Sequence, residues 1–370
     1  MKILQISDLA PPHIGGVEKV VWKYGKLLSE KGNKVSILTS RLQYTKDHEF
    51  IENIEYIRVP KYALAFPSLY TNDFDIIHSH SYFSFFGLGL EKKIKGSVII
   101  KHIHSVYENE LENFTGWSFS RIFSLFEKTL LKSDCTAIIV PSEFTKNKLI
   151  EYGINKKIYV VPHGVEYSNF LSKERAREIL EIPKDKKVVG FVGRMSKGKG
   201  PQDIAMIWAQ VMKKIKDATL VFVGPEPDIK TSGIKGNTDE VKKILKASNS
   251  IENVIFAGRV DDDKMPIYFS SFDVFVLPSI NEGFGLSILN AMAAGVPVVA
   301  YNNSAISEVV NDSGILVPTH DINALRDAII SLLTDKNLYL EYSEKGKMRA
   351  SKFTWEIAIK KLLNIYSNYV

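Results

Sequence analysis

Short runs of β-branched and other apolar residues alternate along the chain with longer stretches whose apolar positions recur every three or four residues. The short runs read KILQIS, KVSILT, FDIIHSH, SVIIKHI, TAIIVPS and KIYVVPH in the first half, then KVVGFVG, TLVFVG, NVIFAG, DVFVLPS, VPVVAY and GILVP in the second. Strands separated by amphipathic helices predict parallel sheets covered by helices on both faces. Because the series stops and restarts, the pattern predicts an α/β fold of two Rossmann-like, doubly wound domains in tandem. The polar, charged stretch 166–186 between the series reads as a linker carrying a short helix and puts the boundary near residue 168. At the end of the chain, Trp355, Ile359, Leu362, Leu363 and Tyr366 stand at helical spacing and predict a last helix.

The length of 370 residues supports this division, since single cores rarely serve so long a chain. Composition is that of an ordinary globular protein, with 45% hydrophobic and 24% charged residues. A net charge of +6 favours anionic partners, but no concentrated Lys/Arg run argues for nucleic acid. The lone Cys135 excludes an intrachain disulfide framework, suits a reducing compartment and reads as a packing residue. The start, MKILQISD, is too short an apolar run for a signal-peptide core, and no later run reaches membrane-spanning length. These features lead us to expect a cytoplasmic protein, soluble or docked on a surface.

Ligands of open parallel sheets bind beyond the carboxyl ends of the strands. Here those ends carry PPHIGG, His78 and His80, His104, Arg194 and Lys199, and NEGFG. If the two sheets face each other across a cleft, these groups converge on one ligand. The stretch GRMSKGKG, residues 193–200, misses the P-loop pattern by one residue, Gly200 standing where a Ser or Thr would hold Mg²⁺. No nearby apolar strand ends in the acidic residue that such a site also needs. What remains is a cation pair, Arg194 and Lys199, in a turn that opens a helix, a design that neutralises a diphosphate without metal. A solvated basic turn is the competing account.

The most specific stretch is PSINEGFGLSILNAMAAGVPVVA, residues 278–300, where Gly283 and Gly285 let backbone approach a ligand and a helix begins. With GGVEKVVWKYGKLLSEKGNKVSIL, DIIHSH, VPHGVEYSNF and VGRMSKGKG preceding it in order, the chain resembles, over nearly its whole length, the retaining glycosyltransferases of the group 1 or family 4 type. That resemblance implies the GT-B architecture: an acceptor-side domain of residues 1–168 plus about 355–370, the last helix crossing back to it, and a nucleotide-sugar domain of 169–354. It implies that Arg194 and Lys199 hold the diphosphate with amides of Phe284, Gly285 and Leu286. Gly15 and Gly16 would let the first loop close on the phosphates, His104 would contact the donor sugar, Glu282 would bind its hydroxyls, and Gly283 would line the donor site. The family's second glutamate is replaced by Asn290, which offers one acceptor oxygen and an amide in place of a carboxylate for the ribose. The family's PNGVD is here PHGVE, with His163 and Glu166, and its GGIPE is SAISE, residues 304–308.

The activity so implied is transfer of a hexosyl unit, with retention, from a UDP- or GDP-sugar to a hydroxyl of an envelope glycan, a glycolipid or a small molecule. The nucleotide sugar is a co-substrate, and neither a cofactor nor a metal is expected. A sugar-nucleotide epimerase of the same architecture and a catalytically silent subunit of a glycosyltransferase complex are the competing readings. The DDD of residues 261–263 reads as helix capping instead of a metal-binding D-x-D. His78, His80 and His104 are too scattered in sequence to make a metal site by spacing. The helical stripe of residues 119–132 reads as packing on the sheet, with docking on the inner face of an anionic membrane as its second reading.

Overall fold

In the computed structural model, residues 1–13, 15–70, 73–90, 97–106, 127–167, 169–227 and 235–370 are described. The chain forms two units. Among the described residues, the first takes in those up to Gly164 and regains the chain at Trp355–Val370; the second takes in those of Val165–Thr354.

The first unit holds β1 (Lys2–Ser7), β2 (Lys34–Ser40), β3 (His48–Ile51), β4 (Ile54–Val59), β5 (Ile76–Ser79), β6 (Val98–His102), β7 (Ala137–Val140) and β8 (Ile158–Val160). They lie in the order β3-β4-β2-β1-β5-β6-β7-β8, parallel except for the edge pair β3–β4. The hairpin β3–β4 lies in a stretch with weak patterning. Its edge strand is mostly exposed, so its sequence lacks the apolar run that marks a buried strand. The helix Gly16–Glu30 crosses from β1 to β2 and buries Val20, Val21, Tyr24 and Leu28, one stripe of its surface. Cys135 is buried in the core with Leu130, Leu131, Ile138 and Leu149. The last helix, Trp355–Ser367, buries Trp355, Ala358, Ile359, Leu362, Ile365 and Tyr366 within this unit, while Leu363 is half-buried. Of the stripe at 119–132, residues 119–126 lie outside the described residues. Among the described residues no helix is long and apolar enough to cross a membrane.

The second unit holds β9 (Lys187–Val192), β10 (Ala218–Val223), β11 (Val254–Gly258), β12 (Val274–Leu277), β13 (Val298–Tyr301) and β14 (Ile315–Val317), all parallel, in the order β11-β10-β9-β12-β13-β14. The helix Pro201–Lys214 crosses from β9 to β10 and buries Ile204, Ile207, Trp208 and Val211, each such side chain contributing about 1.5–3 kcal/mol. The stretch 166–186, expected as a linker, is packed into this unit. Its helix, Lys173–Ile179, is capped by Ser172, which accepts from the Arg175 amide at 3.2 Å. Arg177 donates to Asp273 Oδ2 at 2.6 Å and to the Ser271 carbonyl at 3.0 Å. The Val188 amide and Lys173 Nζ also donate to Asp273, at 2.7 and 2.8 Å. This buried carboxylate therefore joins the start of β12 to β9 and to the segment before it.

In each sheet the strand order reverses at one place: between β1 and β5 in the first, between β9 and β12 in the second. At such switch points the loops leaving neighbouring strands diverge to opposite faces and leave a crevice. Residues 8–13 and His80 leave the first, and the turn 193–200 and the glycine loop 278–285 leave the second.

Candidate functional site

At the switch point of the second unit, β9 ends in an exposed Arg194, a short turn Lys197–Lys199 and the buried Gly200. Gly200 has φ +73°, and a Cβ there would stand 2.1 Å from the Pro278 carbonyl oxygen. Only glycine lets this turn lie against the loop leaving β12. The Ile280 amide and Ser279 Oγ both donate to the Gly198 carbonyl, at 3.0 and 3.1 Å. Asn303 Nδ2 donates to the Ser279 carbonyl at 3.1 Å, so the loops after β9, β12 and β13 are stitched by backbone acceptors.

On this base Lys199 Nζ donates to Glu282 Oε1 at 2.6 Å. Both side chains are mostly covered, at 21% and 13% exposure, so their pairing is stronger than that of a surface ion pair. The Arg194 guanidinium makes no ion pair or hydrogen bond among the described residues. The Glu282 amide donates to Ser304 Oγ at 3.0 Å, with Ser304 itself at φ +47°, and the Ala305 amide donates to the Glu282 carbonyl at 3.2 Å. Ser304, the first residue of the SAISE that replaces the family's GGIPE, positions the Glu282 backbone.

Gly285, at φ +91°, precedes the helix Leu286–Ala293 and supplies no side-chain cap, so the first amides of that helix are left for an external acceptor. Gly283 is half-buried beside it, and the Phe284 side chain is buried. Asn290 Nδ2 donates to the Leu286 carbonyl at 2.7 Å, one turn back, which leaves Oδ1 as its open acceptor. The other helix start is less suited to an anion than expected. Pro201 has no amide hydrogen at the first position, and Asp203 already sits in the first turn.

In the first unit Gly15 caps the helix Gly16–Glu30 without a side chain, and the His13 ring pairs with Glu18 at 3.0 Å. A Cβ at Gly15 would overlap the Glu18 carboxylate, whereas one at Gly16 would meet nothing within 4 Å. His104 follows β6 and is half-buried. It belongs to a group of five histidines that the sequence reading did not assemble: His78, His80, His102, His104 and His163. The His102 and His104 rings lie 4.3 Å apart at 8°, and the His78 and His80 rings 4.4 Å apart. His80 Nδ1 is 2.9 Å from His104 Nε2, His102 Nδ1 is 3.3 Å from His78 Nε2, and His78 Nδ1 is 2.6 Å from the Tyr366 hydroxyl. Burial holds these imidazoles neutral, with His78 and His104 pushed down to about 3 and the other three well below the usual range. His78 lies in β5, His102 ends β6, and His80, His104 and His163 follow parallel strands, which is how histidines scattered over 86 positions of sequence converge.

Asp261–Asp263 behave differently from expectation. The helix Met265–Ser271 has Lys264 at its cap position with no side-chain cap, and Asp261 serves it through its carbonyl, which accepts from Lys264 and Met265. Among the described residues the groups of three His, Cys, Asp or Glu with metal-compatible spacing are the two histidine sets, and Asp261–Asp263 are not among them.

Two α/β units with largely parallel sheets, one carrying a cation–carboxylate pair and an uncapped helix start at its switch point, define a protein of the doubly wound class. Models of Glycosyl transferases group 1 and Glycosyltransferase Family 4 match residues 172–349 and 14–169. The chain belongs to the group 1 glycosyltransferases. It is 27% identical over 407 residues to an uncharacterized glycosyltransferase of Methanocaldococcus jannaschii, covering 100% of this chain and 99% of that protein. The fold is similar to sucrose-phosphate synthase from Thermosynechococcus elongatus, with a TM-score of 0.86, 24% identity and coverage of 99% and 98%. It is also similar to Anabaena HepE in complex with UDP and glucose, with a TM-score of 0.82, 18% identity and full coverage of both chains. The architecture is GT-B, and the protein is a glycosyltransferase.

Proposed function

We propose that the protein transfers a hexosyl unit from a UDP- or GDP-sugar to an acceptor hydroxyl, with retention and without a metal at the diphosphate. The observation that carries this reading is the Lys199–Glu282 pair at the switch point of the second unit, with the exposed Arg194 on the same loop as Lys199. A diphosphate drawing Lys199 toward itself releases the Glu282 carboxylate to accept from sugar hydroxyls, so one ligand satisfies both halves of the pair. The amides at the start of Leu286–Ala293 add donors for the phosphate, and Asn290 Oδ1 offers one acceptor to the ribose. The Anabaena structure with UDP and glucose supports a uridine-linked sugar as the first donor to test.

In this mechanism the bond from the anomeric carbon to the diphosphate oxygen breaks while the acceptor oxygen bonds to the same face of that carbon. The acceptor proton passes to the departing diphosphate. Negative charge grows on the leaving oxygen, where Arg194 and Lys199 stabilise it. Glu282 orients the sugar, and the family resemblance assigns His104 to the sugar as well. For the acceptor, the resemblance implies an envelope glycan, a glycolipid or a small molecule, met in the cytoplasm or at the inner face of the membrane.

The test is a thermal-shift panel of UDP, GDP, ADP and their sugars in EDTA, since a ligand held only by the folded state raises its stability. The best donor then goes into a transfer assay in which the product's anomeric configuration is read by NMR. Stabilisation by a nucleotide sugar and a product of unchanged configuration are expected; an inverted product, or activity that vanishes in EDTA, overturns the reading.

A further inference from the structure

We propose that His102, His104 and His163 form a three-imidazole site for a divalent transition-metal ion of the Zn²⁺ class. One ring nitrogen from each lies within 4.8 Å of the others. Ligands on a tetrahedral zinc at about 2.0–2.1 Å stand about 3.3 Å apart, a closure that small side-chain rotations supply. The nitrogens facing the ion follow from the hydrogen bonds behind them. With His102 donating from Nδ1 to His78 Nε2, and His78 donating from Nδ1 to the Tyr366 hydroxyl, His102 turns an unprotonated Nε2 outward. That atom is buried and meets no hydrogen-bond partner among the described residues. With His104 donating from Nε2 to His80 Nδ1, its own Nδ1 carries the lone pair. Each of these two ligands therefore has a second histidine fixing its ring and tautomer, the supporting shell that metal-bound imidazoles require.

The donor set decides the class of ion. Three neutral imidazoles with no carboxylate among them suit Zn²⁺, Co²⁺ or Ni²⁺ and reject Mg²⁺ and Ca²⁺, which demand oxygen. The site also gives the buried His102 Nε2 a partner, since a buried imidazole nitrogen without one is unfavourable. A second consequence rests on the proposed function. His104 cannot ligate a metal and contact a donor sugar at once, so the ion acts as an inhibitor of transfer.

The experiment uses the full chain, stripped with EDTA and dialysed, and titrated with ZnCl₂ by calorimetry and thermal shift, with MgCl₂ in parallel. One equivalent of Zn²⁺ binds and raises the melting temperature, Mg²⁺ does not, and Co²⁺ gives the visible absorption of a four-coordinate site. His163→Asn restores the residue of the family's PNGVD pattern and folds. It weakens Zn²⁺ binding at least about tenfold, as does His102→Phe, while the control His48→Ala leaves it unchanged. Absence of saturable Zn²⁺ binding overturns the site, as does binding that a folded His163→Asn retains. Zn²⁺ binding that leaves transfer untouched keeps the site and overturns the role of His104 in the reaction.

Discussion

Lys199 Nζ and Glu282 Oε1 lie 2.6 Å apart across two loops that are 83 residues apart in sequence. The pair gives opposite expectations for its two members. Lys199→Ala removes the cation that meets the leaving diphosphate, and turnover falls by about 10²–10³, the loss typical of a deleted transition-state donor. The measurement is kcat at saturating donor with and without Mg²⁺. Recovery of activity by Mg²⁺ contradicts the metal-free account.

Glu282→Gln leaves Lys199 without its anionic partner. UDP alone then binds at least as tightly as to the unsubstituted protein, because the ammonium no longer has to leave a carboxylate. Transfer falls all the same, because a neutral amide is a weaker acceptor for the sugar hydroxyls. Calorimetry with UDP beside a transfer assay separates the two effects. A marked loss of UDP affinity in this variant argues that Glu282 does not restrain Lys199.

Asn290 spends one of its two amide hydrogens on the Leu286 carbonyl, and Oδ1 is its one acceptor for a ribose hydroxyl. Asn290→Glu supplies a carboxylate that accepts from both ribose hydroxyls, a gain of roughly 1 to 3 kcal/mol, or about five- to 150-fold in affinity. The control is 2′,3′-dideoxyuridine diphosphate, for which no gain is expected. An equal gain for both nucleotides means that the new charge acts elsewhere.

The second unit and the candidate site within it were largely legible in the chain. Gly200, Lys199 and Glu282 stand next to strand ends whose apolar runs are unmistakable, and a parallel sheet gathers such ends on one side. Three things were not legible. The edge pair β3–β4 has too little buried surface to leave a pattern. The integration of 166–186 depends on Asp273, a residue 96 positions from its partner Arg177, and no local signal announces a buried ion pair. The histidine group hides for the same reason, since spacing along the chain says nothing about which strands are neighbours. His163 was visible only as a departure from PNGVD.

Two glycines separate steric need from ligand approach. Gly200→Ala forces a left-handed alanine against the Pro278 carbonyl, costing more than about 2 kcal/mol and displacing Lys199, so both melting temperature and turnover fall. At Gly16 a methyl group meets nothing within 4 Å, so Gly16→Ala leaves the melting temperature unchanged. If Gly16 passes close to the donor phosphates, the same variant weakens donor binding without loss of stability. Unchanged donor affinity removes Gly16 from the binding site.

Asp273 sets an acid limit for the second unit. Burial alone raises its pKa, but Lys173, Arg177 and the Val188 amide overcome that and hold the carboxyl below its ordinary value of 3.8. A group with a depressed folded pKa contributes stability above the unfolded value and loses it as pH falls through the folded one. The contribution of Asp273 is therefore complete above about pH 5 and declines below about pH 4. Asp273→Asn strands the buried Arg177 and costs about 3–5 kcal/mol at pH 7. In urea unfolding the gap between the two proteins is constant from pH 8 to pH 5 and narrows below pH 4. A gap that widens as pH falls means that the carboxyl is not ionised in the folded protein.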